Sequence, residues 1–508
     1  MKCASVSQMR AIDNSTINKY GIAGSVLMEN AGVCVVNEVL ENTSSNSFVV
    51  LCGKGNNGGD GSVVARHLYN KGKNVVLVLV ADENELFNDA KTNFNIARKI
   101  GVPIEIGLTD SAKKSISNCE VIIDALLGIG TTGSPRGKVA QAIEIINNAN
   151  KIVFAVDVPS GINSDTGEVY NPCVKANFTI TFGLYKIGLA CYPAREYAGR
   201  VKVCDISFAQ KAIDAENINV NIIEEAQLPP RTQNTHKGSF GRVFALAGSI
   251  GFTGAAYLTV TAAMRTGCGL ATLGIPYSLN SILEQKLTEV MTLPLADNDG
   301  VLSKDALCGI KRAIIGSDAI ICGCGLGNNG DIYEIVAELI KTSQIPIVLD
   351  ADGINVLKGH TDILKGKNCE IVITPHIGEM ARITGLSIEQ VKSNTLQVAQ
   401  SFATEYNIVT VLKSAHTIVA LPNGDAYINI YGNSGMATAG SGDVLAGIIG
   451  SLIAQGVPPI NAAKDGVYIH SRAGDIAAQK LGEHSLLATD ILDNISNVGR
   501  EDYVGKSI

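Results

Sequence analysis

The feature that most constrains the fold is a series of short apolar runs that lack polar alternation and end in glycine-rich or polar loops. A strand that is apolar on both faces needs cover on both, so such runs predict parallel sheets with helices packed on each side. The runs in the first half are Phe48–Cys52, Val75–Val80, Val121–Leu127, Ile152–Val156 and Phe178–Phe182. Those in the second half are Val243–Leu246, Leu270–Ile275, Ala319–Cys322, Ile345–Leu349, Ile371–Thr374 and Ile408–Leu412. The predicted fold class is therefore α/β, with one such domain in each half of the chain.

The two sets of strands are separated by a stretch of different character. Residues 209–235 are polar, and Leu228-Pro229-Pro230-Arg231 interrupts regular structure. A chain of 508 residues is long enough for two or three domains. We expect a boundary at about 210–225, with one domain over 1–215 and a second over 225–508.

Composition excludes several classes of partner. The net charge of −7 provides no electrostatic footprint for nucleic acid or for an anionic membrane, and there is no tryptophan for base stacking. The twelve cysteines lack the paired spacing of a zinc site and suit a reducing compartment. The first ten residues contain no apolar signal core, and no apolar run reaches the roughly 18–20 residues that span a membrane. These observations predict a cytoplasmic protein without nucleic-acid or membrane partners.

Three polar loops follow strands of the first half. They are G-K-G-N-N-G-G-D-G at Gly53–Gly61, D-A-L-L-G-I-G-T-T-G at Asp124–Gly133 and D-V-P-S-G at Asp157–Gly161. Each alone could be an ordinary tight turn. Ligands of parallel sheets bind at the carboxyl ends of the strands, so three such loops at one edge predict a binding site.

The residue types in these loops limit the chemistry. Asn57, Asp124 and Ser160 supply hard oxygen donors that suit a cation. Asp157 could act as an acid or base, or could be a solvated carboxylate at a strand end. A Walker lysine and the G-x-G-x-x-G fingerprint with its acidic partner are both absent from the sequence, which weakens the case for a P-loop nucleotidase or ordinary hydride transfer.

The most informative stretch of the second half is Asn433–Gly447, N-S-G-M-A-T-A-G-S-G-D-V-L-A-G, which leads into an apolar helical pattern. A helix beginning near Gly442 would present free N–H groups to an anion. Asp443 would lie in the first turn, where a carboxylate beside a phosphate suits a base that deprotonates an attacking hydroxyl. The alternative is a glycine turn whose acidic residue complements the helix dipole.

Other polar residues of the second half follow predicted strands. Lys413 could neutralise phosphate charge. His376 could bind substrate or carry a proton, or could be a hydrogen-bonded histidine at a strand end. Glu379 could help hold a metal ion, or could be a carboxylate at a helix N-terminus. The segments 417–421 and 426–430 flank P-N-G-D and predict a hairpin.

The first half closely resembles the NAD(P)H-hydrate epimerase family over about residues 1–215, through M-E-N-A-G at Met28–Gly32, G-K-G-N-N-G-G-D-G and V-D-V-P-S-G. The resemblance implies a Rossmann-like three-layer domain that interconverts the two C6 epimers of hydrated NADH or NADPH. It assigns substrate contacts to Asn56, Asn57, Gly58, Gly59, Asp60, Gly128, Ile129, Gly130, Thr131, Thr132, Gly133, Ser134 and Asp157. It assigns a potassium ion to Asn57, Asp124 and Ser160. Lys186, in the family-like T-F-G-L-Y-K, lies near the substrate or is a surface lysine.

The second half resembles the ADP/ATP-dependent NAD(P)H-hydrate dehydratase family, within the ribokinase-like fold, over about residues 225–500. The resemblance rests on H-K-G-S-F-G-R-V, D-A-D-G-I-N, T-P-H-I-G-E-M and G-M-A-T-A-G-S-G-D-V-L-A-G. It assigns the hydrate to Ala255, Gly327, His376 and Asp443. It assigns the nucleotide, which carries Mg²⁺, to Lys413, Ser414, Ala415, His416, Thr417 and Gly442. The chain departs from the family at Cys324, Ile377 and Ser434, where proline is frequent, and at Ser414, where glycine is common.

The hypothesis from the sequence is a bifunctional repair enzyme for hydrated NADH and NADPH, in which Asp443 and Asp157 do acid–base work. One rival is a small-molecule kinase, such as a vitamin-alcohol kinase, fused to a non-catalytic Rossmann-like binding domain. A second rival treats the first half as a scaffold module, since relatives of its fold serve in RNA-associated assemblies. Family analogy indicates a homo-oligomer.

Overall fold

A computed structural model describes residues 1–498, which divide into two compact units between Asn221 and Ile222. The last ten residues, which belong to the predicted second domain over 225–508, lie outside the described part. Among the helices of residues 1–498, none combines the length and the hydrophobicity needed to cross a bilayer.

The first unit is built on a parallel sheet of seven strands. In spatial order the strands are Ile104–Ile106, Asn74–Leu79, Ser47–Cys52, Val121–Ala125, Ile152–Val156, Phe178–Phe182 and Arg200–Cys204. Alternate residues of the Ser47–Cys52 strand enter two different hydrophobic cores: Phe48 and Val50 enter one, and Val49 and Leu51 enter the other. The predicted burial of both sheet faces is confirmed.

Helices cover both faces of this sheet and follow its strands. They are Val6–Asn18, Gly24–Asn42, Asn56–Asn70, Asn88–Ile100, Asp110–Asn118, Gly137–Asn148, Ile187–Ala190, Ala194–Ala198 and Gln210–Ala215. The first helix begins with a capping box, in which the Ser5 hydroxyl accepts from the Gln8 N–H and the Gln8 side chain accepts from the Ser5 N–H. A short strand, Lys2–Ala4, pairs with Val220 and Asn221 on one side and with Tyr185–Lys186 on the other.

The second unit contains nine strands in one sheet. In spatial order they are Met291–Leu295, Leu270–Pro276, Arg242–Leu246, Ala319–Cys322, Ile347–Leu349, Ile371–Ile373, Val409–Leu412, Ile418–Ala420 and Ala426–Asn429. The first seven are parallel, and the last two add an antiparallel hairpin around P-N-G-D, as predicted. Asp297–Asn298 and Val301–Leu302 form a separate small hairpin.

The α-helices of the second unit are Thr253–Thr266, Asn280–Lys286, Leu307–Ile314, Gly330–Thr342, Asp352–Asn355, Ile377–Thr384, Ile388–Ser393, Thr395–Tyr406, Ser441–Ala454, Pro459–Leu481 and Ala488–Asn494. The Ser441–Ala454 helix is buried along nearly its whole length, with Val444, Ile448 and Leu452 fully enclosed. Its N-terminus is therefore fixed by the core. Both halves are α/β, which confirms the predicted fold class.

Candidate active sites

The first unit contains a cavity of about 880 Å³. Its lining includes the loops that follow the strands Ser47–Cys52, Val121–Ala125 and Ile152–Val156, so the three polar loops meet at one edge of the sheet. Of the residues predicted to touch the substrate, those that line the cavity are Asn56, Asn57, Asp60, Gly128, Ile129, Gly130, Thr131 and Asp157.

The other predicted contacts lie elsewhere in the same loops. A Cβ on Gly58 would lie 1.9 Å from the carbonyl oxygen of Gly53, and a Cβ on Gly59 would lie 2.7 Å from Met28. These two glycines therefore allow the Asn56–Asn70 helix to pack closely against its neighbours. Thr132, Gly133 and Ser134 lie on an exposed continuation of the second loop. Their contacts with a substrate stay a prediction.

The three predicted cation ligands come together beside this cavity. The Asp124 carboxylate is fully buried and accepts from the Ser160 N–H at 2.9 Å and from the Ser160 hydroxyl at 2.7 Å. The Asn57 amide nitrogen donates to the Leu127 carbonyl at 2.9 Å, whereas its side-chain oxygen is buried without a hydrogen-bond donor. Burial raises the pKa of Asp124 to about 6, although hydrogen bonds from Ser160 and Leu126 oppose the rise.

A buried oxygen without a donor next to a buried carboxylate is costly unless a positive charge completes the site. Asn57 Oδ1, Asp124 and the Ser160 hydroxyl are all oxygen donors, which is the chemistry that alkali and alkaline-earth cations require. The residues present therefore fit a cation such as K⁺.

Asp157 forms an ion pair with the buried Lys186 rather than being a solvated carboxylate. Its Oδ1 lies 2.7 Å from the ammonium nitrogen of Lys186, which is 1% exposed. The same oxygen accepts from the Thr181 hydroxyl at 3.0 Å and from the Phe182 N–H at 3.3 Å. The alternative of Lys186 as a surface lysine is therefore wrong, because its side chain is enclosed and donates to the Phe182 carbonyl as well.

Two further residues that line this cavity were not predicted from the sequence. They lie on the Val6–Asn18 helix, outside the three loop motifs. Arg10 and Asp13 both line the cavity, and a Cβ on Gly130 would lie 3.0 Å from an Arg10 guanidinium nitrogen. The sequence signal was the helix pattern itself, since residues three apart, such as Arg10 and Asp13, lie on one side of a helix. Arg10 thus supplies a cation beside the glycine loop.

The candidate site of the second unit surrounds the start of the Ser441–Ala454 helix. Gly440 caps this helix in the left-handed region at φ +91°, and Asp443 lies in the first turn. A Cβ on Gly442 would lie 3.0 Å from the Lys413 ammonium nitrogen and 3.7 Å from a carboxylate oxygen of Asp350. The helix N-terminus therefore faces both a lysine and a carboxylate.

Asp350 is the first residue of D-A-D-G-I-N, but it was not predicted as a site residue from the sequence. It accepts from Lys413 at 2.5 Å and from the Thr374 hydroxyl at 2.7 Å. The ligand atoms of Asp350, Cys324 and Asp443 all lie within 4.8 Å of one another. Burial, and then the charge of Asp350, raise the pKa of Asp443 to about 7, while Cys324 and Lys413 oppose the rise. Asp443 can therefore both accept and release a proton near neutrality.

His376 and Glu379 form the cap of the Ile377–Thr384 helix. His376 Nδ1 accepts from the Gly378 N–H at 2.9 Å, and the Glu379 carboxylate accepts from the His376 N–H at 2.8 Å. Both capping alternatives are thus confirmed. The His376 side chain is 56% exposed, and its Nε2 lies 3.5 Å from a carboxylate oxygen of Glu379. Contact of His376 with substrate stays a prediction. Burial raises the pKa of Glu379, and the Lys413 charge opposes this.

The predicted nucleotide segment is a hydrogen-bonded turn after the Val409–Leu412 strand. The Thr417 hydroxyl donates to the Ser414 carbonyl at 3.2 Å, and the His416 N–H donates to the Ser414 hydroxyl at 3.3 Å. Ala415 is exposed at the tip. The His416 ring is buried and lies 3.1 Å from the Thr395 hydroxyl, so only its backbone could meet a nucleotide.

The two remaining predicted substrate positions share one region. Ala255 lies in the first turn of the Thr253–Thr266 helix, 3.2 Å from where a Cβ on Gly325 would be. Gly327 continues the same loop and donates its N–H to Asp352 at 2.8 Å. The Ser249 hydroxyl fixes this loop by donating to the Gly325 carbonyl at 2.7 Å.

Two family models match the chain. The model described as NAD(P)H-hydrate dehydratase matches residues 243–497, and the one described as YjeF-related protein N-terminus matches residues 24–188. Arg10 and Asp13 lie before the second of these matches.

Full-length relatives are similar to the whole chain. The bifunctional NAD(P)H-hydrate repair enzyme Nnr of Moorella thermoacetica is 40% identical, over 98% of this chain and 97% of its own. The enzyme of the same name from Thermofilum pendens is 36% identical, over 99% and 98%. The crystal structure of the ADP/ATP-dependent NAD(P)H-hydrate dehydratase from Bacillus subtilis, co-crystallised with ATP and Mg²⁺, is 28% identical, with a TM-score of 0.49, and covers 56% of this chain and 99% of that one.

Proposed function

The chain belongs to the family of bifunctional NAD(P)H-hydrate repair enzymes, and from this premise we propose how its two units divide the repair. The first unit interconverts the R and S hydrates of NADH and NADPH, and the second dehydrates the S form with consumption of ADP or ATP. Neither the kinase nor the scaffold alternative is favoured by this membership. The observation that supports the residue roles best is the position of the Asp443 carboxyl in the first turn of the Ser441–Ala454 helix, where its oxygen lies within 4.8 Å of a carboxylate oxygen of Asp350.

In the epimerase unit, the cavity binds the hydrate between the three loops. The backbone around Gly128 and Gly130, with Arg10 beside it, suits the diphosphate, because unpaired N–H groups and a guanidinium both favour anionic oxygens. Asp60 and Asp157 line the same cavity and are the groups able to act on the hydrated ring. This assignment places the diphosphate, which links the two nucleosides, away from the reacting carbon of the hydrated ring.

The potassium ion is assigned to Asn57, Asp124 and Ser160. The buried Asn57 oxygen without a donor supports the assignment, as does the buried Asp124 carboxylate next to it. When bound, the ion would neutralise Asp124 and hold the three loops together.

In the dehydratase unit, Asp443 takes the proton of the ring hydroxyl as that oxygen attacks the terminal phosphoryl group of the nucleotide. The N–H groups at the start of the Ser441–Ala454 helix stabilise the transferring phosphoryl group. Phosphate then leaves C6 instead of hydroxide as the lone pair of the ring nitrogen forms an iminium, and loss of a proton from C5 restores the C5–C6 double bond of the dihydronicotinamide. Lys413 brings positive charge next to these N–H groups, at Gly442.

Mg²⁺ accompanies the nucleotide and, when bound, lowers the charge on its phosphates. Its preferred donors are carboxylate oxygens, and Asp350, Glu379 and Asp443 supply these near the helix N-terminus. The Cys324 thiol in the same cluster is a poor ligand for this ion. The donor set therefore fits Mg²⁺ through its carboxylates.

The decisive experiment follows both epimers. The protein is incubated with a mixture of R and S hydrates, first with ADP and then with ATP. We expect full recovery of reduced-nicotinamide absorbance and release of free phosphate, because epimerisation feeds the S-specific step. A stable phosphoester would instead indicate a kinase, and recovery limited to the initial S fraction would refute the epimerase.

We make two further proposals, one about the oligomeric state and one about the location in the cell. A homo-oligomer is proposed by family analogy, and light scattering after gel filtration tests it. A cytoplasmic location is proposed because all twelve cysteines, which lie within the described residues, are free thiols. Localisation of a tagged protein tests this second proposal.

A further inference from the structure

Two carboxyls that line the cavity of the first unit have opposite environments. One oxygen of Asp157 receives donors from Lys186, Thr181 and Phe182 at 2.7, 3.0 and 3.3 Å. Donors of this kind stabilise the charged form of a carboxyl. Asp157 is therefore fixed in position by three donors that belong to the protein.

Asp60 lines the same cavity and has none of these donors. Within residues 1–498, no hydrogen bond or ion pair engages its carboxyl, and the side chain is half-buried. Burial, then the charge of Asp157, then the charge of Asp13 raise the pKa of Asp60 well above the usual value. Each of these effects favours a neutral carboxyl that carries a proton.

A pair of carboxyls in opposite environments, one held by donors and one without them, is the arrangement that separates a charge stabiliser from an acid. Epimerisation at C6 has a use for both, and this step rests on the proposed function. Protonation of the C6 hydroxyl lets the C6–O bond break with loss of water, and the lone pair of the ring nitrogen forms a planar cation. A second water adds to the opposite face of C6 and releases one proton. The overall change is neutral in atoms and electrons.

We infer that Asp60 is the proton donor of the epimerisation, and that Asp157, fixed by Lys186, is the counter-charge of the cationic ring. Asp60 gives its proton to the leaving hydroxyl and becomes a carboxylate. The proton released by the incoming water passes to solvent, from which Asp60 takes up a proton again. Asp157 keeps its charge throughout, so its paired state with Lys186 lowers the energy of the cation without taking part in proton transfer.

The test uses the full chain and pure R hydrate without nucleotide, with formation of the S epimer followed by chromatography. Asp60→Asn keeps the shape and removes the proton, so we expect kcat to fall by about 10²–10⁴-fold with little change in KM. Asp110→Asn makes the same change in an exposed carboxyl of the first unit that does not line the cavity, and we expect it to keep wild-type kcat. A thermal unfolding transition of the first unit like that of wild type reports that the variants are folded.

A second measurement tests the bond that breaks. In water enriched in heavy oxygen, the wild-type chain should place solvent oxygen at C6 of every molecule it epimerises. Retention of the original oxygen would overturn the inference, as would Asp60→Asn with wild-type kcat or an equal loss of kcat in Asp110→Asn. A wild-type chain that does not epimerise at all would refute the proposed function instead, so the two failures are distinguishable.

Discussion

Asp443 shows, at the scale of one residue, how a group that serves chemistry weakens the fold around it. Its carboxyl has an ordinary pKa of 3.8, which burial and Asp350 raise to about 7. The folded state therefore keeps a proton that the unfolded state releases between about pH 4 and pH 7. Over that window the free energy of unfolding falls as pH rises, and above pH 7 the cost stays constant.

Asp443→Asn should therefore lower activity and raise stability at the same time. We expect dehydratase kcat to drop by at least about 10²-fold, since no general base remains. The free energy of unfolding at pH 8 should rise by an amount on the order of 2 kcal/mol relative to wild type, and the gain should vanish near pH 4. Urea titrations of both proteins across this range measure the difference.

Asp465→Asn is the matched control for this change. Asp465 is a buried carboxyl of the same unit, in the Pro459–Leu481 helix, whose pKa burial raises to about 6. Its substitution should also favour stability at high pH but leave dehydratase activity intact. Equal activity losses in the two variants would contradict the role of Asp443.

In the wild-type enzyme, dehydratase activity should rise with pH as Asp443 ionises, with a midpoint near pH 7.

Arg10 supports a prediction about binding rather than chemistry. Arg10→Gln removes the cation beside Gly130, so KM for the hydrate in epimerisation should rise about 10- to 100-fold, as expected for loss of a charged hydrogen bond. Because the diphosphate contact is the same in ground and transition states, kcat should change little. Lys19→Gln, which follows the same helix but does not line the cavity, is the control. A fall in kcat at constant KM would refute this placement.

At the scale of elements, the start of the Ser441–Ala454 helix depends on one glycine. Gly440 and Gly456 have nearly the same positive φ, +91° and +89°. A Cβ on Gly440 would lie 2.4 Å from Leu258, whereas nothing lies within 4 Å of one on Gly456. Alanine at either position costs about 1–2 kcal/mol in backbone strain, and only at Gly440 does overpacking add about 1–3 kcal/mol.

The pair Gly440→Ala and Gly456→Ala therefore separates strain from packing. We expect both variants to lose unfolding free energy in urea, with the larger loss at Gly440. Dehydratase activity should fall in Gly440→Ala alone, because the N–H groups of the helix start move with the cap. Equal destabilisation of the two, or full activity in Gly440→Ala, would show that the close contact with Leu258 is relieved without cost.

The elements also show what a sequence can predict and why the rest is missed. The run Phe48–Cys52 was predicted as a strand and occurs as Ser47–Cys52, because an unbroken apolar run has few other solutions. Gly58 and Gly59 were assigned to a ligand, yet close packing requires them, and sequence alone does not separate these uses of glycine. The pair Asp350–Lys413 was missed because its members are far apart in sequence and meet only in the folded sheet.

At the scale of the whole molecule, two units with separate cores predict that each ligand stabilises its own unit. A ligand that binds only the folded state raises the free energy of unfolding by about 2.7 kcal/mol at 100 times its Kd. K⁺ should therefore raise one thermal transition and ADP with Mg²⁺ the other, as followed by calorimetry with Na⁺ as the control cation. Asn57→Ala removes the buried oxygen that has no donor, so it should abolish the K⁺ shift while the ADP shift persists. A K⁺ shift that survives this substitution would place the ion elsewhere, and an ADP shift lost with it would show that the two units unfold as one.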